Sequence, residues 1–105
     1  MILNIKPSPL KTKRFRATIR EGNNERTIDF GFKSGLRFGL TFIDGATEAV
    51  RDAYQKRHLG NAVEAKLIQN LTLSPALLSF YILWGSTRSV ESNRIALNKM
   101  LKGKN

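Results

Sequence analysis

Between Ser74 and Gly85 the chain reads Ser-Pro-Ala-Leu-Leu-Ser-Phe-Tyr-Ile-Leu-Trp-Gly, and no other stretch carries large apolar groups at this density. Any fold of this chain has to cover that segment. Both of its ends are written as helix ends. Ser74 can accept from the free amides of a first turn, Pro75 has the φ of a first helical position, and Gly85 can take the left-handed conformation that closes a helix. Ala76, Leu77, Phe80, Tyr81 and Trp84 share one helical face, while Leu78, Ile82 and Leu83 make the opposite side apolar too. Such a helix is expected to be buried in protein. It falls well short of the roughly 20 apolar residues that cross a bilayer, so no membrane span is expected.

The remaining residues divide into strands first and helices after. With 105 residues one domain is expected. The absence of cysteine removes disulfides, thiolate chemistry and cysteine-based zinc sites. The opening apolar run is too short for a secretory segment and has no basic residues before it, so no signal peptide is expected and the sequon at Asn70 to Thr72 has no use. Residues 1–13 read as a basic extended arm, held non-helical by Pro7 and Pro9. From Arg14 to Arg20, Phe15, Ala17 and Ile19 alternate with Arg14, Arg16, Thr18 and Arg20, the period of a half-buried strand. Arg26 to Phe30 alternates again beyond turn residues at 21–24, so 14–30 predicts a β-hairpin with one strongly cationic face. Gly31 to Gly39 suits a loop, and Leu40 to Ile43 predicts a short third strand. Ala46, Ala49, Val50, Ala53 and Tyr54 then have helical spacing, with Gly60 as the stop. A weaker helix carries Ala62, Ala65, Leu67, Ile68 and Leu71, and a last one, capped by Ser89, carries Val90, Ile95, Leu97, Met100 and Leu101. The expected fold class is α+β, a small antiparallel sheet packed by three to four helices, with the domain at 14–101 and a basic tail at 102–105.

No pattern here declares an enzyme. Asp29-Phe30-Gly31 resembles a kinase metal-binding triplet but lacks the catalytic loop that gives the triplet meaning; Phe30 is expected to end a strand facing the core and Gly31 to turn the chain. Gly31, Gly35 and Gly39 are too widely spaced for a phosphate loop and read as turns. Around His58, the one histidine, the expectation is a surface pair in which Asp52 or Glu48 on the same helix meets His58 or Arg57. Ser74, Ser79 and Ser86 have no partner-base pattern. No cofactor and no metal is expected. Charge carries more: 18 basic against 8 acidic residues give a net charge of +10, which draws a protein to polyanions. The candidate polyanion contacts are Lys11, Lys13, Arg14, Arg16 and Arg20 on the arm and hairpin, with Arg51, Arg57 and His58 as a second patch. Phe15 interleaves with the first set, where an aromatic can stack on a base, but it has the parity of a core residue.

Thr27-Ile-Asp-Phe-Gly31, then Asp44, Arg51, Tyr54 and Arg57-His58, then Ser79-Phe-Tyr-Ile-Leu-Trp84, resembles in order and spacing a small-protein family encoded by nucleocytoplasmic large DNA viruses. The likeness covers about residues 14–85. A histidine common in that family just before the Asp44 position is absent, and Leu59-Gly60-Asn61 replaces an acidic-aromatic stretch. The resemblance implies a viral setting. It leads to the expectation of a non-enzymatic virion structural protein, a minor capsid or internal component that contacts other virion or capsid proteins and is found in host cytoplasm or nucleus before assembly. The alternative is a protein that binds double-stranded DNA through the cationic arm and hairpin.

Overall fold

A computed structural model describes residues 1–34 and 37–103. The fold is α+β: a three-stranded antiparallel sheet in the N-terminal half, followed by four helices. Strands β1 (Ile2–Pro7), β2 (Lys13–Glu21) and β3 (Asn24–Phe32) lie in sequence order across the sheet. The predicted hairpin is β2–β3. It closes with Glu21 opposite Asn24, and Gly22 takes the positive φ of 62° that a two-residue turn requires. Ala17, Ile19, Ile28 and Phe30 are buried as their alternation implies.

Residues 2–7 are not an arm outside the domain. They form an edge strand with Ile2 fully buried, and its amide and carbonyl are held by Asn98, with Arg94 donating a second bond to the carbonyl. A bulge between Ile2 and Asn4 explains why no alternation is visible here. Ile2 and Ile5 are three apart, yet they face Ile19 and Ala17, which are two apart. The extra residue absorbs the difference and both isoleucines reach the core side. Leu40 to Ile43, by contrast, is not a strand. The amide and hydroxyl of Thr41 donate to Asp44 Oδ2 at 3.0 and 2.8 Å, and the chain coils into a 3-10 turn over Phe42–Asp44. A local side-chain bond of this kind competes directly with strand pairing.

Helices α1 (Glu48–Leu59) and α2 (Ala62–Gln69) form where expected, capped by Thr47 and Asn61. No side chain of α1 is buried; Tyr54 instead stacks on Trp84 with ring centroids 4.2 Å apart. The apolar segment forms α3 (Pro75–Leu78), its first turn capped by Ser74, and then widens into a π-helical turn over Ser79–Leu83. The Trp84 amide reaches back to the Ser79 carbonyl at 3.2 Å. Leu77 and Leu78 before that turn are buried, as are Phe80, Ile82 and Leu83 within it and Trp84 after it.

Gly85 does not close this helix in a left-handed conformation; among described glycines only Gly22, Gly31 and Gly45 have positive φ. Gly85 is required by space, because a Cβ there would lie 2.1 Å from the Tyr81 carbonyl oxygen. Gly31, read as a turn, lies inside β3 at φ 80°, where a Cβ would come within 3.1 Å of Arg14 Cβ. Helix α4 (Val90–Gly103) packs on the π turn through Leu97 and the buried Asn93, which donates to the carbonyls of Ile82 and Thr87 and accepts from Thr87 Oγ1. Lys102, assigned to a tail, belongs to α4; Lys104 and Asn105, and the turn residue Gly35, lie outside the described residues.

Candidate functional site

Arginine alternation on β2 does produce an arginine-bearing face, but its charge is largely used internally. Arg14, whose side chain is only 11% exposed, grips Asp44 with both terminal nitrogens at 2.6 and 2.5 Å, and its guanidinium lies 3.8 Å from the Phe38 ring centroid. It clamps the segment after the sheet onto β2. Arg16 makes a two-pronged contact with Asp29 across the hairpin, at 2.9 and 3.1 Å, and Ser8 Oγ donates to the same carboxylate. Arg20 pairs with Glu25. Directly opposed arginine and carboxylate are a favourable cross-strand pair, so the hairpin meets its own acids first.

The second patch is also not brought together. Arg51 bonds Asp52 and covers Phe42 at one end of α1, while His58 at the other end pairs through Nδ1 with Glu64 in the first turn of α2. His58 therefore joins two helices; it does not pair with Asp52 or Glu48. Arg57 forms no ion pair among the described residues.

Cations without an acidic partner collect elsewhere, for a topological reason. In an antiparallel β1–β2–β3 sheet the end of β1, the start of β2 and the end of β3 share one edge of the sheet, and the register puts Lys13 opposite Phe32. The Lys33 amide donates to the Thr12 carbonyl, and Arg37 pairs by backbone with Ser34. Lys6, Lys11, Lys13, Lys33 and Arg37 thus gather at that end, with no ion pair among the described residues. Large apolar side chains stand exposed among them: Leu10, Phe38, Leu40, and above all Phe32, which is 76% exposed. Of the residues read from the sequence, Lys11 and Lys13 belong here. Phe32, Lys33 and Arg37 join them through the β2–β3 register and the backbone bonds that follow it, and Lys6 joins once β1 is known to be a strand. Phe15, the aromatic first considered for stacking, faces inward against Phe30, with ring centroids 5.8 Å apart.

Beside this basic end opens a cleft of about 450 Å³, with Lys13, Phe32, Tyr54, His58, Glu64 and Ser79 among its lining residues. Two of its lining residues are tied to the core by ring contacts: Tyr54 stacks on Trp84, and the His58 ring lies tilted against Tyr54 with centroids 4.0 Å apart. Burial, reinforced by the nearby Glu64 carboxylate and opposed by Arg57, pushes the Tyr54 phenol up to about 12, so it stays protonated. No cluster of three or more histidine or acidic side chains suited to a metal occurs among the described residues, and none of their helices is long and apolar enough to cross a membrane.

The internal ion pairs have a pH signature. The Arg16 bond holds the Asp29 carboxyl below its ordinary range against a desolvation cost, with help from Ser8. At Asp44 desolvation is the largest single influence and acts upward, but the Arg14 and Thr41 bonds together outweigh it and the net direction is down. A carboxyl depressed by folding contributes stability that is fully present above its unfolded pKa and lost as pH falls through the folded one. The urea midpoint is therefore expected to be unaffected by these two groups between about pH 5 and 7 and to fall below about pH 4. A midpoint that holds steady to about pH 2 would rule out this role for the two aspartates.

Residues 3–58, just over half of the chain, match the model of a family of unknown function, DUF5754. No curated protein and no solved structure matches the chain.

Proposed function

The chain belongs to the DUF5754 family, and we propose that it is a small, basic, non-enzymatic structural protein of a large DNA virus particle that holds packaged nucleic acid at the lysine-rich end of its sheet. The viral setting rests on the order of the Asp29-Phe30-Gly31, Asp44, Arg51, Tyr54, Arg57-His58 and Ser79 to Trp84 motifs. The observation that supports the contact is the gathering of Lys6, Lys11, Lys13, Lys33 and Arg37 with no salt bridge among the described residues, while the hairpin arginines are each engaged by a carboxylate. A cation with no counterion of its own gains most from a phosphate and releases that phosphate's counterions on binding.

Fluorescence anisotropy of short labelled DNA, read across a salt series, tests this. Binding is expected with a log–log salt slope of about −3 to −4, falling in magnitude by about 2 to 3 when Lys11, Lys13 and Lys33 are together replaced by alanine. Arg20→Ala, which removes a charge already paired with Glu25, is expected to change the slope little. A slope that survives the triple substitution, or one that depends more on Arg20, would move the contact off this end of the sheet.

A second reading, contact with neighbouring shell proteins, is favoured by a separate apolar groove of about 620 Å³ between Met1 and α4, with Ile95 and Leu101 among its walls and Lys99 and Lys102 at its rim. That arrangement suits a partner with apolar anchors flanked by carboxylates.

A further inference from the structure

We infer that the basic end takes single-stranded nucleic acid and seats one unpaired base against Phe32 at the mouth of the Tyr54–His58–Glu64 cleft, an inference that rests on the nucleic-acid reading above. Four observations carry it. Phe32 is 76% exposed, so a large aromatic side chain stands in solvent. Its cross-strand partner is Lys13 and Lys33 is its chain neighbour, so two lysines that form no salt bridge among the described residues adjoin it. The same Phe32 and Lys13 line the 450 Å³ cleft. The cleft walls are not uniformly apolar: Glu64, His58 and Ser79 offer hydrogen-bonding groups, and Glu64 fixes the imidazole through Nδ1, leaving Nε2 for another partner.

A base has the properties such a place would select. Its π face stacks on an aromatic ring regardless of sequence, its polar edge can meet the cleft walls, and the adjoining phosphates fall to the lysines. In a duplex these faces are already stacked on their neighbours, and Phe32 would find none free. Exposed Phe and Leu amid lysines would also suit an anionic membrane surface, but acyl chains entering here would bury the Glu64 carboxylate against hydrocarbon.

The test compares four probes by anisotropy or co-sedimentation at physiological salt: a mixed-sequence single strand, the same strand as a duplex, an abasic strand of equal phosphate number, and phosphatidylserine vesicles. The single strand is expected to bind more tightly than both the duplex and the abasic strand. Phe32→Ala and Phe32→Leu should each weaken it by about 5- to 150-fold, the range of one lost base–aromatic stack. Phe32→Trp should retain binding, and none of the three should alter binding of the abasic strand. Phe32 is exposed, so these variants are expected to fold, which circular dichroism checks. If duplex and single strand bind equally and Phe32→Ala changes neither, the stacking inference is overturned while the phosphate-binding reading stands. If no nucleic acid binds, both fall. Binding to vesicles alone would reassign the surface to a membrane and overturn both as well.

Discussion

Replacing Gly85 with alanine is expected to destabilise the protein by more than about 3 kcal/mol and to prevent recovery of a folded chain at 37 °C. The reason is local and geometric. A Cβ at this position would lie 2.1 Å from the Tyr81 carbonyl oxygen and 3.0 Å from Asn93 Cγ. Neither neighbour can retreat at low cost. Tyr81 lies within the π turn, flanked by the buried Phe80 and Ile82, and Asn93 is held by bonds to Ile82 and Thr87 while being 2% exposed. At an ordinary glycine with negative φ the same change would stabilise by about 0.4–1 kcal/mol through the unfolded chain. The sign at Gly85 is reversed by the contact alone. Gly39, where a Cβ would meet nothing within 4 Å, supplies the control, and Gly39→Ala is expected to be neutral or slightly stabilising. Urea denaturation of both variants is the measurement. A Gly85→Ala protein with the wild-type midpoint would show that the Tyr81 carbonyl and Asn93 leave room for a side chain at this position.

The second large effect concerns the clamp between Arg14 and Asp44. Their side chains are 11% and 14% exposed, and the Arg14 guanidinium lies 3.8 and 4.9 Å from the ring centroids of Phe38 and Phe15. Asp44→Ala leaves that charge partly buried without a counterion and also removes the acceptor of the Thr41 amide and hydroxyl. A loss of about 3 kcal/mol is expected, lowering the melting temperature of a chain of this size by roughly 15 °C. The penalty should come mainly from the abandoned charge, so Arg14→Met combined with Asp44→Ala is expected to recover part of it, which a double-mutant cycle measures. Asp44→Ala costing under about 1 kcal/mol would mean the pair is solvated in the manner of a surface salt bridge. The clamp also positions the functional end, because Phe38 and Leu40, exposed beside the unpaired cations, belong to the segment it holds against β2. Binding of nucleic acid should weaken in Asp44→Ala even under conditions where it remains folded.

Features governed by neighbours in the chain were legible without a structure. Ser74 caps, Pro75 starts a helix, Gly60 ends one, and the β2–β3 hairpin turns at Gly22, because caps and turns are decided within a few residues. The density of large apolar groups between Ser74 and Trp84 likewise implied burial regardless of fold. The candidate site was legible only in part. Lys11 and Lys13 were found by their charge. Arg14, Arg16 and Arg20 carry the same charge but spend it on Asp44, Asp29 and Glu25, one of them 30 residues away, and alternation along β2 cannot reveal what stands opposite.

Local chemistry along the chain accounts for the α+β class, the hairpin, the helix starts and the net charge of +10, since each depends on short-range spacing or on a sum of charges. Long-range packing accounts for the rest. Ile2 enters the sheet because α4 supplies Asn98 and Arg94 to its backbone and a bulge aligns it with Ile19. The apolar segment widens into a π turn, and Gly85 is needed where Asn93 closes on it. The cations that remain for a partner are those the fold leaves without acids, and which ones they are is set by antiparallel topology bringing three strand ends to one edge. Pairing of charges depends on distance in space, and distance in space is what a one-dimensional pattern does not contain.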